Sequence, residues 1–158
     1  MQTLTLLPGR DKAGNPEPFD QIALRRGELC TIVGNTGSGK SRLIKDIEQL
    51  SDGTGVTGRR VLLDDGFVPL ERRQAVSTSL VAHLGQNMRF VLDPSVGAFL
   101  RLHAACRQKE IRESDVLAVA NDITPEPIAM DESLNLLSGG QTRALMIADI
   151  ALICDSPI

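Results

Sequence analysis

Gly34-Asn35-Thr36-Gly37-Ser38-Gly39-Lys40-Ser41 is the stretch whose reading decides the fold. It follows a short apolar run, Leu29-Cys30-Thr31-Ile32-Val33, and precedes a helix-patterned segment over residues 42–50. Strand, glycine-rich turn and helix start are the context that the phosphate-binding G-x-x-x-x-G-K-[ST] motif requires. Glycines let the backbone curl so that successive N–H groups point inward, forming an anion nest at a helix N-terminus. In that reading Lys40 bridges the β- and γ-phosphates and the Ser41 hydroxyl coordinates Mg²⁺. Four fixed positions arise by chance in about one window in ten thousand at average residue usage, so a plain flexible turn is the weaker reading.

The rest of the composition is compatible with such a site. At 158 residues one domain is the default. Apolar residues make up 42% and charged residues 23%, ordinary values for a globular chain. A net charge of −3 argues against bulk electrostatic binding of nucleic acid. No apolar run reaches the length of a membrane span, and the N-terminus lacks a signal-peptide pattern. Cys30, Cys106 and Cys154 are scattered and show no C-x-x-C spacing, which predicts buried thiols in a reducing cytosol rather than a disulfide or a metal site.

Outward from the motif, residues 2–7 alternate polar and apolar and predict a half-exposed strand. Residues 8–18 are turn-rich, residues 19–24 read as a second strand, and Arg26-Gly27-Glu28 as a tight turn into the apolar run. After a glycine-rich loop over 51–58, Val61-Leu62-Leu63 is a strand that stops at Asp64-Asp65-Gly66. An Asp after apolar residues imitates a Mg²⁺-supporting carboxylate, but Asp-Gly is itself a turn former, and the hairpin is the stronger reading. Residues 78–84 form another apolar run, and His83 within it, like His103 further on, reads as a packed or edge residue rather than a ligand. From Asp93-Pro94 the pattern is helical, with Asp93 as the expected N-cap and Val96, Phe99, Leu100 and Ala104 on one face. Residues 114–119 read as a further helix, with Ser114 as its candidate cap. Ser138-Gly139-Gly140 opens a last one, which is apolar on most sides and predicted to be largely buried.

Leu137-Ser138-Gly139-Gly140-Gln141 narrows the reading. It is a second glycine-flanked helix N-terminus with free N–H groups, a hydroxyl and a partial positive charge for an anion. The pair resembles the phosphate loop and the signature motif of an ATP-binding cassette (ABC) ATPase domain. That resemblance implies an α/β fold: a three-layer P-loop NTPase core with an N-terminal antiparallel β subdomain and a helical signature subdomain. The corresponding divisions are residues 1–33, 34–92, 93–137 and 138–158. It implies ATP and Mg²⁺ as cofactors, and Gln86 as the Q-loop glutamine that contacts Mg²⁺ or the attacking water. It also implies head-to-tail pairing with a second ABC domain, in which residues 138–141 of one copy close on the γ-phosphate held by residues 34–41 of the other. A membrane-spanning permease subunit is the expected partner, received near residues 86–94, where Met88, Phe90, Val91 and Leu92 are apolar. The location expected is cytoplasmic, peripheral at the membrane for a transporter subunit.

Departures from the family pattern shape the expectation as much as the matches. Residues 10–15, where the family carries an adenine-stacking aromatic, hold none; Phe19 reads as core. Arg42 replaces the hydroxyl residue common after the motif. The family follows its signature helix with an apolar strand ending in Asp-Glu, which supports Mg²⁺ and polarises water; Asp149 and Asp155 fall on the signature helix or its end instead. The expectation is therefore a fragment of a longer ABC ATPase, C-terminally incomplete before that strand and inactive alone. Its parent hydrolyses ATP, energising a membrane transporter. The alternatives are a soluble ABC ATPase in assembly, repair or translation, or a non-catalytic nucleotide-binding protein.

Overall fold

In the computed structural model, residues 2–74, 80–85, 90–154, 156 and 158 are described. They divide into two units, the first within residues 2–74 and the second over the described residues of 80–156 together with Ile158.

The first unit is built on β1 (Thr3–Leu7), β2 (Ile22–Arg25) and β3 (Arg60–Leu63). They form one antiparallel sheet in the order β2-β1-β3, with Leu4 opposite both Leu24 and Leu63. The alternation in residues 2–7 predicted a half-exposed strand. As the middle strand, however, β1 buries Thr5 as well as Leu4 and Leu6. Beyond β3 the chain reverses through Asp64 and Asp65, both at positive φ, and Leu63 and Gly66 exchange backbone hydrogen bonds of 2.9 and 3.0 Å. That is a two-residue hairpin turn of the type Asp-Gly sequences favour. Asp64 adds a tie of its own: its Oδ1 accepts the N–H groups of Gln2 and Thr3 at 2.7 and 3.0 Å, holding the start of β1.

Between β2 and β3 lie residues 29–39, helix α1 (Lys40–Glu48) and a loop back to β3. The expected strand over residues 29–33 is not formed: Leu29 and Val33 are 96% and 87% exposed, and no backbone ladder engages this segment among the described residues. A strand needs a neighbour for its N–H and C=O groups, and the antiparallel sheet is already complete without this run. A short helix, α2 (Leu70–Arg73), closes the unit, with Arg73 reaching back to the Leu50 carbonyl at 3.2 Å and to Asp52 at 2.8 Å.

The second unit is helical: α3 (Val96–Cys106), α4 (Glu113–Ile123), a 3₁₀ turn (Leu134–Leu136), α5 (Gly139–Asp149) and a π-helical turn (Ile150–Cys154). Val96, Leu100 and Ala104 of α3, Val116 and Ala120 of α4, and Leu145 and Ala148 of α5 meet in one core, joined by Ile128, Leu134 and Ile153. The 3.6-residue spacing along α3 was legible and correct. Its cap was not: Ser95 is the N-cap, accepting from the Ala98 N–H at 3.3 Å, whereas Asp93 accepts from the Ser133 hydroxyl and the Asn135 N–H. Ser114 likewise lies inside α4, after its N-cap Arg112. Burial of α5 is confined to one face, and past its end Ala151 and Leu152 are exposed. Ile158 donates its N–H to the Leu80 carbonyl at 3.2 Å and accepts from the Ala82 N–H at 2.8 Å, the staggered pattern of parallel neighbours.

Two further expectations fail on burial. Cys30 and Cys106 are exposed and Cys154 is half-buried, so none is an inert core thiol. Phe19 is half-buried ahead of β2 and outside the core. No helix among the described residues is long and apolar enough to cross a membrane.

Candidate phosphate-binding site

Residues 34–41 wrap the start of α1. Gly37 and Gly39 sit at φ +84° and +93°, a left-handed backbone that side chains with a Cβ resist. Ser38 donates its N–H to the Asn35 carbonyl at 3.1 Å, and a Cβ on Gly34 would meet the Ser38 hydroxyl at 2.7 Å. The loop is therefore tight where it turns and open where it faces outward. Its N-cap is Gly39, which has no side chain to cap the helix, and no acidic residue occupies the first turn. Helix N–H groups without an internal acceptor, together with the macrodipole, favour an anion at this end.

Lys40 folds its side chain back over the loop. Its Nζ donates to the carbonyls of Gly34 and Asn35 at 2.6 and 2.8 Å. A cation held by neutral carbonyls alone keeps most of its charge for an incoming oxyanion. Thr36, Ser38 and Ser41 are exposed, so the Ser41 hydroxyl is accessible to a metal-bound phosphate. Asp64, the weaker candidate for a Mg²⁺-supporting carboxylate, is engaged at the hairpin. The N–H groups of Gln2 and Thr3 hold its carboxyl below the ordinary range.

What fixes α1 behind the loop was not legible as a motif. Asp46, two turns along the helix, is buried and receives the Arg59 guanidinium at 2.9 Å and the Thr57 hydroxyl at 3.0 Å. Arg59 also grips Glu17 through Nε at 2.9 and 3.1 Å, and Glu17 accepts the Gly9 N–H at 2.9 Å. One buried guanidinium thus ties the loop after β1, helix α1 and the approach to β3. Its hydrogen bonds hold the Glu17 carboxyl below the usual range. Only the charge pattern Glu17, Asp46, Arg59 could have hinted at it, and those residues are 42 and 13 positions from their partner.

In the helical unit, Ser138 is the N-cap of α5 and forms a complete capping box with Gln141. The Ser138 hydroxyl accepts the Gln141 N–H at 3.2 Å, and Gln141 Oε1 accepts the Ser138 N–H at 2.8 Å. The Gln141 side chain is buried and its Nε2 donates to the Pro127 carbonyl at 3.4 Å. Gly139 and Gly140 remain exposed, so the face this helix start offers to solvent is backbone. Gln86 and Met88 lie outside the described residues, as do Asp155 and Pro157. Phe90 packs edge-on against Phe99 at 5.2 Å between centroids, while Val91 is 99% exposed and Leu92 is exposed beside it.

The comparisons with known proteins agree with the motifs. The sequence pattern of the family described as ABC transporter matches residues 20–158. An uncharacterized ABC transporter ATP-binding protein of Methanocaldococcus jannaschii is 45% identical over 160 residues, covering 100% of this chain and 61% of its own length. A nickel import ATP-binding protein of Pseudomonas putida is 32% identical, with 86% of this chain and 54% of the relative covered. A zinc import ATP-binding protein of Aliivibrio fischeri is also 32% identical, with 80% and 44% covered. The chain thus spans 61% or less of the length of these relatives.

Proposed function

Because the chain belongs to the ABC transporter family and shares its P-loop NTPase α/β fold, we propose that residues 34–41 bind the phosphates of ATP with Mg²⁺. The observation that carries this is the uncapped start of α1, with Lys40 resting on the carbonyls of Gly34 and Asn35. When bound, Mg²⁺ screens the phosphate charge; the chain's part is to hold and orient the phosphates. Backbone N–H groups of the loop and of the first turn of α1 supply the cradle. Lys40 leaves its carbonyls for the β- and γ-oxygens, and Ser41 offers its hydroxyl to the metal. Stabilising charge on the transferring phosphoryl group is the largest lever a protein has over this chemistry.

At the length of its relatives, the protein is proposed to hydrolyse ATP as a head-to-tail dimer. Residues 138–141 of one copy would close on the nucleotide of the other, and Gln86 would take the position beside Mg²⁺ or the attacking water. A three-layer core, with the antiparallel sheet and the helical unit as its subdomains, goes with that reading. The work done is most simply the energising of a membrane transporter from its cytoplasmic face. The names of the relatives, which include nickel and zinc import ATP-binding proteins, support a transport role without specifying a cargo here. The exposed Val91 and Leu92, in the stretch expected to receive a permease subunit, support the same reading over a free-standing soluble ATPase.

The nucleotide test is direct. Binding of a fluorescent ATP analogue with Mg²⁺ is expected for the chain and is expected to fall by about two orders of magnitude in Lys40→Ala, from loss of charge-assisted bonds worth about 3 kcal/mol. Equal binding by the variant and the parent chain would overturn the assignment. Co-purification with a polytopic membrane protein, lost on Val91→Asp, tests the transporter role.

A further inference from the structure

We propose that His103, Asp149 and Cys154 form a binding site for a thiophilic divalent cation of the zinc type, where α3 meets the end of α5. One ligand atom from each residue lies within 4.8 Å of the other two. Imidazole nitrogen, carboxylate oxygen and thiolate sulfur make the mixed donor set that suits Zn²⁺ and excludes the hard, all-oxygen preference of Mg²⁺ or Ca²⁺.

The way the chain assembles this set is specific. Asp149 ends α5, and Cys154 ends the π-helical turn that follows it. Residues five apart on an α-helix point about 140° away from each other. In a π-turn, where bonding runs from i to i+5, they stand one turn apart on the same side. The π-turn thus brings the thiol over the carboxylate, and His103 reaches across from α3 with Nδ1 at 2.7 Å from Asp149 Oδ1.

A structural hydrogen bond between His103 and Asp149 accounts for only part of this arrangement. Asp149 is 0% exposed, and its second oxygen, Oδ2, is buried without a hydrogen-bond partner among the described residues. A carboxylate in that setting is held by a single bond, less than such a charge normally requires. A cation accepted at Oδ2 completes its coordination. Arg107 supplies a positive charge beside the thiol: its Nη2 lies 3.7 Å from Cys154 Sγ, and its Nη1 is also buried without a partner among the described residues. In the metal-free chain Arg107 acts as a loosely seated counter-charge, one that an incoming cation displaces. His103 is one-quarter exposed and Cys154 half-buried, so the cation has a path from solvent. Zinc–ligand bonds of about 2.0–2.3 Å require the widest pair to draw in by about 1 Å, which a rotation of the Cys154 side chain supplies. Burial holds the Cys154 thiol in its neutral form, so binding releases its proton to solvent. A fourth position is left for water.

Cobalt(II) reports the site without reference to nucleotide. Titrated into the chelator-treated 158-residue chain, Co²⁺ is expected to bind one to one with a thiolate-to-cobalt charge-transfer band. In the double variant Cys30→Ser/Cys106→Ser the band must persist, since only Cys154 can then produce it. Cys154→Ser removes the band, and His103→Gln, which removes a direct ligand, weakens binding by at least about 100-fold, the most that loss of an outer-shell partner costs. Arg107→Gln tightens binding about tenfold by removing a like charge near the ion. Absence of the band from the Cys30→Ser/Cys106→Ser protein overturns the proposal whatever Cys154→Ser does to folding. So does an unchanged or weakened affinity in Arg107→Gln.

Discussion

Replacing Arg59 by Met tests what holds helix α1 behind the glycine-rich loop. The substitution keeps the apolar stem and removes the guanidinium that bridges Glu17 and Asp46, whose side chains are 13% and 5% exposed. Removing one partner of a buried ion pair costs about 3–5 kcal/mol, because the other charge is left desolvated and unpaired. Here the lower end applies. Asp46 keeps the Thr57 hydroxyl at 3.0 Å and a distant Arg42 at 3.7 Å, and Glu17 keeps the Gly9 N–H at 2.9 Å. A cost of about 3 kcal/mol is a large share of the 5–15 kcal/mol that stabilises a typical domain. With a urea m-value of about 2 kcal/mol/M, the unfolding midpoint of the unit containing residues 2–74 should fall by about 1.5 M.

Acid supplies a second, independent reading of the same variant. Arg59 holds the folded-state carboxyl of Glu17 below its ordinary value of 4.5. A lowered pKa contributes stability that is present above the unfolded value and is lost as pH falls through the folded one. The parent chain therefore loses this share below about pH 4.5. In Arg59→Met the Glu17 carboxyl loses the guanidinium that held it ionised and is better off neutral, so its protonation relieves the variant, and the gap between the two proteins narrows as pH falls. Arg59→Met/Glu17→Leu/Asp46→Leu, which replaces the whole cluster by apolar groups, should recover most of the loss. A cost below about 1 kcal/mol at pH 7, or a gap that stays constant into acid, would refute the reasoning.

Two further substitutions probe the backbone, one in each unit. Gly9→Ala places a Cβ 2.1 Å from the Thr57 carbonyl and 2.7 Å from the Arg59 nitrogen, both main chain. The loop must shift at a cost of about 1–3 kcal/mol, read as a lowered thermal midpoint; a change within error would mean that the loop yields freely. Gln141→Ala removes one half of the capping box and should cost about 1 kcal/mol, with faster amide exchange confined to the first turn of α5 and a preserved helical spectrum.

Local chemistry explains which features were legible in the sequence. The glycine-rich turn ahead of α1, the hairpin at Asp64-Asp65-Gly66 and the start of α5 at Ser138 each depend on neighbours within a few residues, and each was readable. Failures came where a distant partner decides. Residues 29–33 have the composition of a strand, but a strand is defined by the chain beside it, and none pairs with this run among the described residues. Asp93 is as good a cap as Ser95 by residue type; contacts with Ser133 and Asn135, some forty residues on, draw it away. His103 and Asp149, 46 positions apart, carry no spacing that announces them, and Cys154 joins them only because α5 ends in a π-turn.

The two glycine-flanked helix starts look alike as motifs but differ as anion sites. At α1 the cap is a glycine, and the first-turn N–H groups have no side-chain competitor. At α5 the Gln141 N–H is already taken by the Ser138 hydroxyl, and that of Ser138 by the Gln141 side chain. An anion that claims the Ser138 hydroxyl or these N–H groups must first open a box worth about 1 kcal/mol, a factor of about five in affinity. Lys40 adds a full positive charge at α1, and no acidic residue in the first turn opposes it. Occupancy by phosphate should therefore begin at α1. In the head-to-tail pairing proposed above, the start of α5 would engage only when an already seated anion is presented to it by the other copy, because its own cap would then be exchanged for a stronger, charge-assisted acceptor. Under that proposal, closure over a phosphate would be conditional on prior binding, and the condition would be set by a serine and a glutamine three residues apart.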